Sequence, residues 1–287
     1  MWELRSLYRR LAPTRLNWMT GGSSRAGRTR SGDARRVLSK HVPPTVMQTQ
    51  TLSLAPDLSR QDIGELESLA QQIPSMGGSE IGQHLRKAAR AAPSNSSIVE
   101  VGSWLGAGTA QLALGLRERQ LDGPVSLHCF DRWEANEAEV AKAAMQNVTF
   151  RVCDDTLPWV MRSLQPFGVA ITFEKGDFRN ATWTGGPISI YVDDAAKTPS
   201  KFLHVLKTFG PYWIPGVAVV VFMDYHYWER TGSEKHKCQK RFIESHREHF
   251  IPIEGFRTRS SDAFVYRKQV DFGSLNYDTL CTDVPAK

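Results

Sequence analysis

A chain of 287 residues with 41% hydrophobic and 10% aromatic residues can bury a sizeable core. No run of about 18 apolar residues is present, so no membrane span is expected. The formal charge of +6 is concentrated at one end: residues 1–55 hold nine Arg and one Lys against Glu3 and Asp33, whereas 56–287 hold 26 basic and 28 acidic residues. The body therefore lacks the charge that grips a polyanion, which argues against a nucleic-acid partner. The four cysteines (Cys129, Cys153, Cys238, Cys281) form no C-x-x-C pair and read as reduced thiols of a cytoplasmic protein.

Residues 1–55, rich in Arg, Ser and Gly, cannot bury enough apolar surface to offset their ordering entropy and read as a disordered basic arm. Three roles fit it: a solvated tail, an organelle transit peptide, or an arm for nucleic acid or a membrane surface. Residues 56–94 read as a helical extension. Asp57 or Ser59 caps a helix over Ile63, Leu66, Leu69 and Ile73, Pro74 to Gly78 breaks it, and a second helix over 79–92 ends at Pro93.

From there short β-rich runs alternate with helices. Strands are expected at 98–101, 125–130, 169–173, 188–192 and 217–223, and helices near 109–119, 134–145, 157–164 and 200–209. A helix over 234–249 precedes apolar runs at 250–253 and 263–266, an antiparallel pair at the end of the sheet. This is the pattern of an α/β fold with a doubly wound, mostly parallel sheet. The main domain is placed at 95–270, followed by a C-terminal tail over 271–287.

The stretch Glu100-Val-Gly102-Ser103-Trp-Leu-Gly106-Ala-Gly108-Thr109 closes the first of these strands and opens its helix. Glycines there allow positive φ and close backbone approach to a ligand at the strand ends. The G-x-G-x-x-G spacing of dinucleotide sites is absent, no Tyr has a Lys four residues on, and no Gly-Lys-Ser/Thr follows to make a phosphate loop. What remains, E-x-G-x-x-x-G-x-G, resembles the first motif of the class I S-adenosylmethionine (AdoMet)-dependent methyltransferases.

The resemblance implies a Rossmann-like, seven-stranded sheet whose last strand is antiparallel, with AdoMet as cofactor. It puts Glu100 near the methionine amino group, where a carboxylate attracts the cations of AdoMet but would repel a phosphate. Gly102, Ser103, Gly106, Gly108 and Thr109 would form the cofactor turn, and a Gly106→Val change would fill the space the cofactor occupies. Asp131 and Arg132 end the next strand, where the ribose hydroxyls would fall, or Asp131 simply caps a helix. Asp177 and Phe178, after the strand beyond, would meet the adenine, or form a surface turn.

Further along, F-D-R-W-E, G-D-F, Y-V-D-D and F-M-D-Y are similar to the macrocin-type and related small-molecule O-methyltransferases over about 95–267. That likeness implies a divalent metal such as Mg²⁺ on Asp193, Asp194 and Asp224, with Asp193 or His226 taking the acceptor's proton and Asp193 also facing the cofactor. Two departures stand against it: Asp193-Asp194 is not D-x-D, and Met223 replaces the first acid of D-D-Y. The same acids could line a cleft without metal, and His226 could be structural. Tyr225, Tyr227, Trp228 and Trp183 could stack on an acceptor ring or pack on the sheet. The expected activity is O-methylation of a small hydroxylated acceptor, sugar or natural-product-like. The alternatives are a non-catalytic AdoMet-binding protein and an RNA methyltransferase using the basic arm. Nothing in the sequence signals oligomeric state.

Overall fold

Eight short runs pair into one sheet: β1 (Gln48–Leu52), β2 (Ser96–Val101), β3 (Val125–Asp131), β4 (Ile171–Lys175), β5 (Ile188–Asp193), β6 (Val219–Phe222), β7 (Phe250–Pro252) and β8 (Asp262–Tyr266). This computed structural model describes residues 46–52, 62–77 and 79–282, all within a unit spanning Val42–Lys287. Of the basic arm over 1–55, residues 1–45 and 53–55 lie outside the described residues, as do the caps expected at Asp57 or Ser59.

The strand order is β1-β4-β3-β2-β5-β6-β8-β7, with β4, β3, β2, β5 and β6 parallel and the pairs β6·β8, β7·β8 and β1·β4 antiparallel. The expectation of seven strands is corrected to eight. The additional one, β1, falls in what reads from the sequence as disordered arm. It pairs Gln48 to Leu52 with Lys175 to Ile171 at the sheet edge and is almost wholly exposed, so it carries no apolar alternation.

Two cores form because the central strands are buried on both faces and side chains alternate across them. In β2, Ile98 enters one core with Leu127, Phe173 and Val192, and its neighbours Val99 and Val101 enter the other with Tyr191, Val220 and Phe222. The first core is covered by α1 (Ile63–Gln72), α2 (Ser79–Arg90), α3 (Ala107–Glu118) and α5 (Leu157–Leu164). The second is covered by α6 (Pro199–Phe209) and α8 (Cys238–Ser245), with rings of Phe202, Phe222 and Phe242 meeting edge-on at 5.4 to 5.7 Å.

Several boundaries differ from the sequence reading for local reasons. Helix α4 (Glu137–Ala144) starts three residues late because Asn136 and Glu139 form a reciprocal capping box. The single helix expected over 234–249 is cut to α8, flanked by 3₁₀ turns at Glu234–Lys237 and Arg247–His249. Helix α7 (Tyr227–Thr231) sits between β6 and α8, and α9 (Tyr277–Cys281) ends the described chain. The tail is not loose: Phe272, Leu275 and Leu280 are buried in the second core. No helix of the described residues is long and apolar enough to cross a membrane.

Candidate functional site

The strand order reverses at β2, whose neighbours are β3 on one side and β5 on the other, and the glycine turn leaves the carboxyl end of β2 at that switch. Gly102 has φ +93° and Gly106 φ +86°, conformations L side chains rarely adopt. Trp104 shares this region at φ +45°. Gly102 N–H donates to the Phe130 carbonyl and Ala110 N–H to that of Gly106, both at 2.8 Å, which pins the turn to β3 and starts α3.

The three glycines serve different ends. A Cβ on Gly102 would lie 2.9 Å from the Asp194 carbonyl carbon, so this glycine lets the loop after β5 close against the turn. One on Gly108 would run into Glu100 Oε1. One on Gly106 would meet Leu164 Cδ1 at 3.2 Å and Val160 Cγ1 at 3.3 Å. That corrects the expectation for Gly106→Val: its side chain would crowd α5 rather than the cofactor space.

Glu100 is buried under the first turn of α3, where its Oε2 accepts from Thr109 Oγ1 and lies 3.7 Å from Cys129 Sγ. Burial pushes its carboxyl above the ordinary range, and the hydroxyl of Thr109 opposes the shift. The amino end of α3 also favours its charge. Asp131, at the end of β3, clamps the turn: Oδ2 accepts from Trp104 N–H and Oδ1 from Trp133 N–H, both at 2.9 Å. The buried Trp133 indole completes the link by donating to the Trp104 carbonyl at 2.9 Å. Each Asp131 oxygen keeps a further lone pair for a hydroxyl donor.

Arg132 and Asp177 are committed elsewhere. The Arg132 guanidinium turns outward, 3.7 Å from Glu139. Both oxygens of Asp177 are held by Arg179, whose backbone N–H and Nε donate at 3.0 and 2.9 Å, and this pair keeps the Asp177 carboxyl below its usual value. Phe178 packs against the second core with Lys201 Nζ 6.0 Å from its ring centre. At Gly176, φ +148°, a Cβ would lie 2.8 Å from Met47 Sδ, so the residue before β1 covers the end of β4.

Asp194 and Asp224 come together at Lys197, and the buried Asp193 lies near enough to sense the charges of Asp224 and Lys197. Lys197 Nζ lies 2.6 Å from Asp224 Oδ2 and 4.0 Å from Asp194 Oδ1, and 5.3 Å above the Tyr227 ring. Burial disfavours the ammonium, but Asp194 and Asp224 more than offset it and hold its pKa above the ordinary value. Asp193 is fully buried. Its Oδ1 accepts from the N–H groups of Ala195 (3.1 Å) and Ala196 (2.8 Å), while Oδ2 has no partner among the described residues. His226 is not part of this group: it is buried with Nδ1 3.1 Å from Glu229 and Nε2 3.5 Å from Asp262, edge-on to Tyr225.

A cavity of about 450 Å³ opens beside the turn. Glu100, Gly102, Ser103, Trp104 and Asp194 line one side, and α1 and α2 close the other, with Arg86 on α2 in ion pairs with Glu67 and Glu118. The Ser103 hydroxyl is buried beside the Glu100 carboxyl, whose charged form it favours.

Residues 99–225, from within β2 to just past β6, match the family model described as a methyltransferase domain. This stretch is therefore similar to a methyltransferase domain. Solved structures similar to the chain include the SAH-bound methyltransferase PaMTH1 of Podospora anserina (11% identity, 75% of this chain and 90% of that one, TM-score 0.45). Also similar are the O-methyltransferase TomG of Streptomyces achromogenes, in complex with SAM (19%, 72% and 91%, 0.40), and an O-methyltransferase of Bacillus cereus, in complex with SAH (18%, 71% and 91%, 0.38). A search of curated proteins gives no match.

Within the matched stretch, three residues absent from the sequence-derived site stand out. Trp104 lies in the motif itself, and its backbone bond to Asp131 is what shapes the turn. Lys197 follows Asp194 by three residues, a spacing that reads only as a loop charge until the fold is known. Trp133 lies two residues after Asp131 and is invisible as a site residue because its role is packing beneath the turn.

The buried Asp193 gives the fold a pH signature. Burial raises its carboxyl from 3.8 to about 6, opposed by the Ala196 and Ala195 amides. The folded state therefore binds this proton more tightly than the unfolded chain. The contribution is fully favourable at low pH and is lost as pH rises from about 4 to about 6, with no further change above. Asp193→Asn keeps an oxygen for the two amides and cannot ionise. Urea unfolding should show the variant gaining about 2 kcal/mol on the wild type between about pH 4 and pH 7. A difference that does not change with pH would rule this cause out.

Proposed function

We propose that the domain transfers the methyl group of AdoMet to a hydroxyl of a small acceptor held in the cavity beside the glycine turn. The observation that carries the reading is the meeting, in one cavity, of the Gly102 turn, the buried Glu100 and Ser103, and the carboxylate of Asp194. Acids there suit a sulfonium and an ammonium, and the Ser103 hydroxyl can bind the methionine carboxylate. A cavity of about 450 Å³ is within the range of small-ligand sites.

Methyl transfer is an in-line displacement, so the chain's tasks are to align the acceptor oxygen behind the methyl and to accept its proton. Asp194 is the carboxylate of the cluster that lines the cavity, and desolvation, reinforced by Asp224 and Asp193, raises its pKa above the ordinary carboxylate range, which makes it a stronger base. It takes the role first assigned to Asp193 and His226. Asp193 instead shapes the loop that carries it, and His226 supports α7 and the start of β8 through Glu229 and Asp262. Asp131 contributes its remaining lone pairs to the ribose hydroxyls.

Asp194→Asn is expected to lower kcat by about 100-fold on an acceptor found in a hydroxyl library, the usual loss for a general base. AdoMet affinity by calorimetry should change only a few-fold. Undiminished turnover would take the proton-acceptor role from Asp194.

A further inference from the structure

The resemblance implies a divalent metal on Asp193, Asp194 and Asp224, and the residues present do not fit one. Mg²⁺ demands several hard oxygens at about 2.0–2.1 Å in octahedral order. Here Met223 stands where the pattern has an acid, and Asp193 Oδ1 is already committed to two backbone N–H groups. Among the described residues no three His, Cys, Asp or Glu side chains are arranged to hold a metal ion. The space between the acids is taken by Lys197, whose Nζ is 2.6 Å from Asp224 Oδ2 and faces Asp194 Oδ1 at 4.0 Å.

We infer that Lys197 is the resident cation of this cluster, in place of a divalent ion, and that the domain holds its reacting groups without metal. The side chain is placed for it. Asp193 N-caps the turn after β5 through Ala195 and Ala196, which fixes the backbone leading to Lys197. The Tyr227 ring then backs the ammonium at 5.3 Å, a favourable cation–π position. A divalent ion at Asp224 would meet the like charge of Lys197 within a few ångströms and be repelled by it. Lys197 acts on the reaction through Asp194 and Asp224 and is a positioning residue: it balances their charge and orients the Asp194 carboxylate.

The inference rests on the proposed function for its place in the reaction, and its test does not. Mn²⁺ binding to the full-length protein is followed by electron paramagnetic resonance, with AdoMet binding measured on the same samples by calorimetry. Wild type is expected to bind Mn²⁺ no tighter than about 1 mM, the weak end of protein carboxylate sites. Lys197→Ala and Lys197→Gln vacate the space between Asp194 and Asp224 and should bind it at least about tenfold tighter, while Lys197→Arg, which keeps the charge, should not. Wild-type binding in the micromolar range that Asp194→Asn abolishes would overturn the inference, as would alanine and glutamine variants that bind no better than wild type. Absence of AdoMet binding in wild type would instead count against the proposed function.

Discussion

Gly102→Val should lower folding stability by about 4 kcal/mol and reduce AdoMet affinity by at least about 100-fold. Two costs add at this position. A β-branched residue at φ +93° is a backbone outlier, worth roughly 1–3 kcal/mol. Its Cβ would also lie 2.9 Å from the Asp194 carbonyl carbon and 3.0 Å from Ala195 Cβ, and overpacking of this kind typically costs about 1–3 kcal/mol. The relief available is to push away the loop that carries Asp194, which lines the cavity, so binding suffers with stability. Gly186→Val separates the two costs. Gly186 has φ +83° but nothing within 4 Å of a Cβ, so it should incur the backbone strain alone and leave AdoMet binding intact. Chemical unfolding and calorimetry on both variants check this, and equal effects at the two sites would contradict it.

The second large effect is expected at Gly115, far from the strand ends. It lies in the middle of α3, where a Cβ would run into the Arg86 carbonyl of α2 and lie 2.7 Å from Ala89 Cβ. In an isolated helix, replacing this glycine with alanine would be favourable by about 1 kcal/mol. Here the neighbour is backbone and cannot rotate away, so the two helices must part. Gly115→Val should cost about 3 kcal/mol, a fall in Tm of roughly 8 °C for a domain of this size. It should also loosen Arg86, whose Nε donates to Glu118 on α3 at 2.8 Å, and widen the cavity that α2 closes. A thermal unfolding curve within a degree or two of wild type would show that α2 does not pack as described.

Much of the sheet was readable from sequence because parallel strands buried on both faces appear as near-continuous apolar runs, as in Ile188 to Val192, interrupted only by Ser189, and Val219 to Phe222. The same logic hid β1. Its Gln-Thr-Gln-Thr-Leu is polar because an exposed edge strand needs no apolar face, and its pairing with β4 depends on residues 125 positions away, such as Glu174, whose carboxylate accepts from Thr49. At the site, the motif glycines and Glu100 carry their own backbone and charge signals, and Asp131 stands at a strand end where a ligand is expected. Asp177 gave the same signal, yet Arg179 two residues on captures its carboxylate, a local competition that spacing does not reveal. Lys197 and Gly115 were illegible for another reason: each is defined by what the fold brings against it, two acids in one case and a helix backbone in the other.

The claim on which the rest depends is that the cavity beside the Gly102 turn holds AdoMet. Isothermal titration of the full-length protein with AdoMet tests it most directly, run in parallel on Gly102→Val and Gly186→Val. The account predicts a single site of micromolar Kd in wild type and Gly186→Val, lost in folded Gly102→Val. No heat with wild type, or binding that survives unchanged in Gly102→Val, would contradict it.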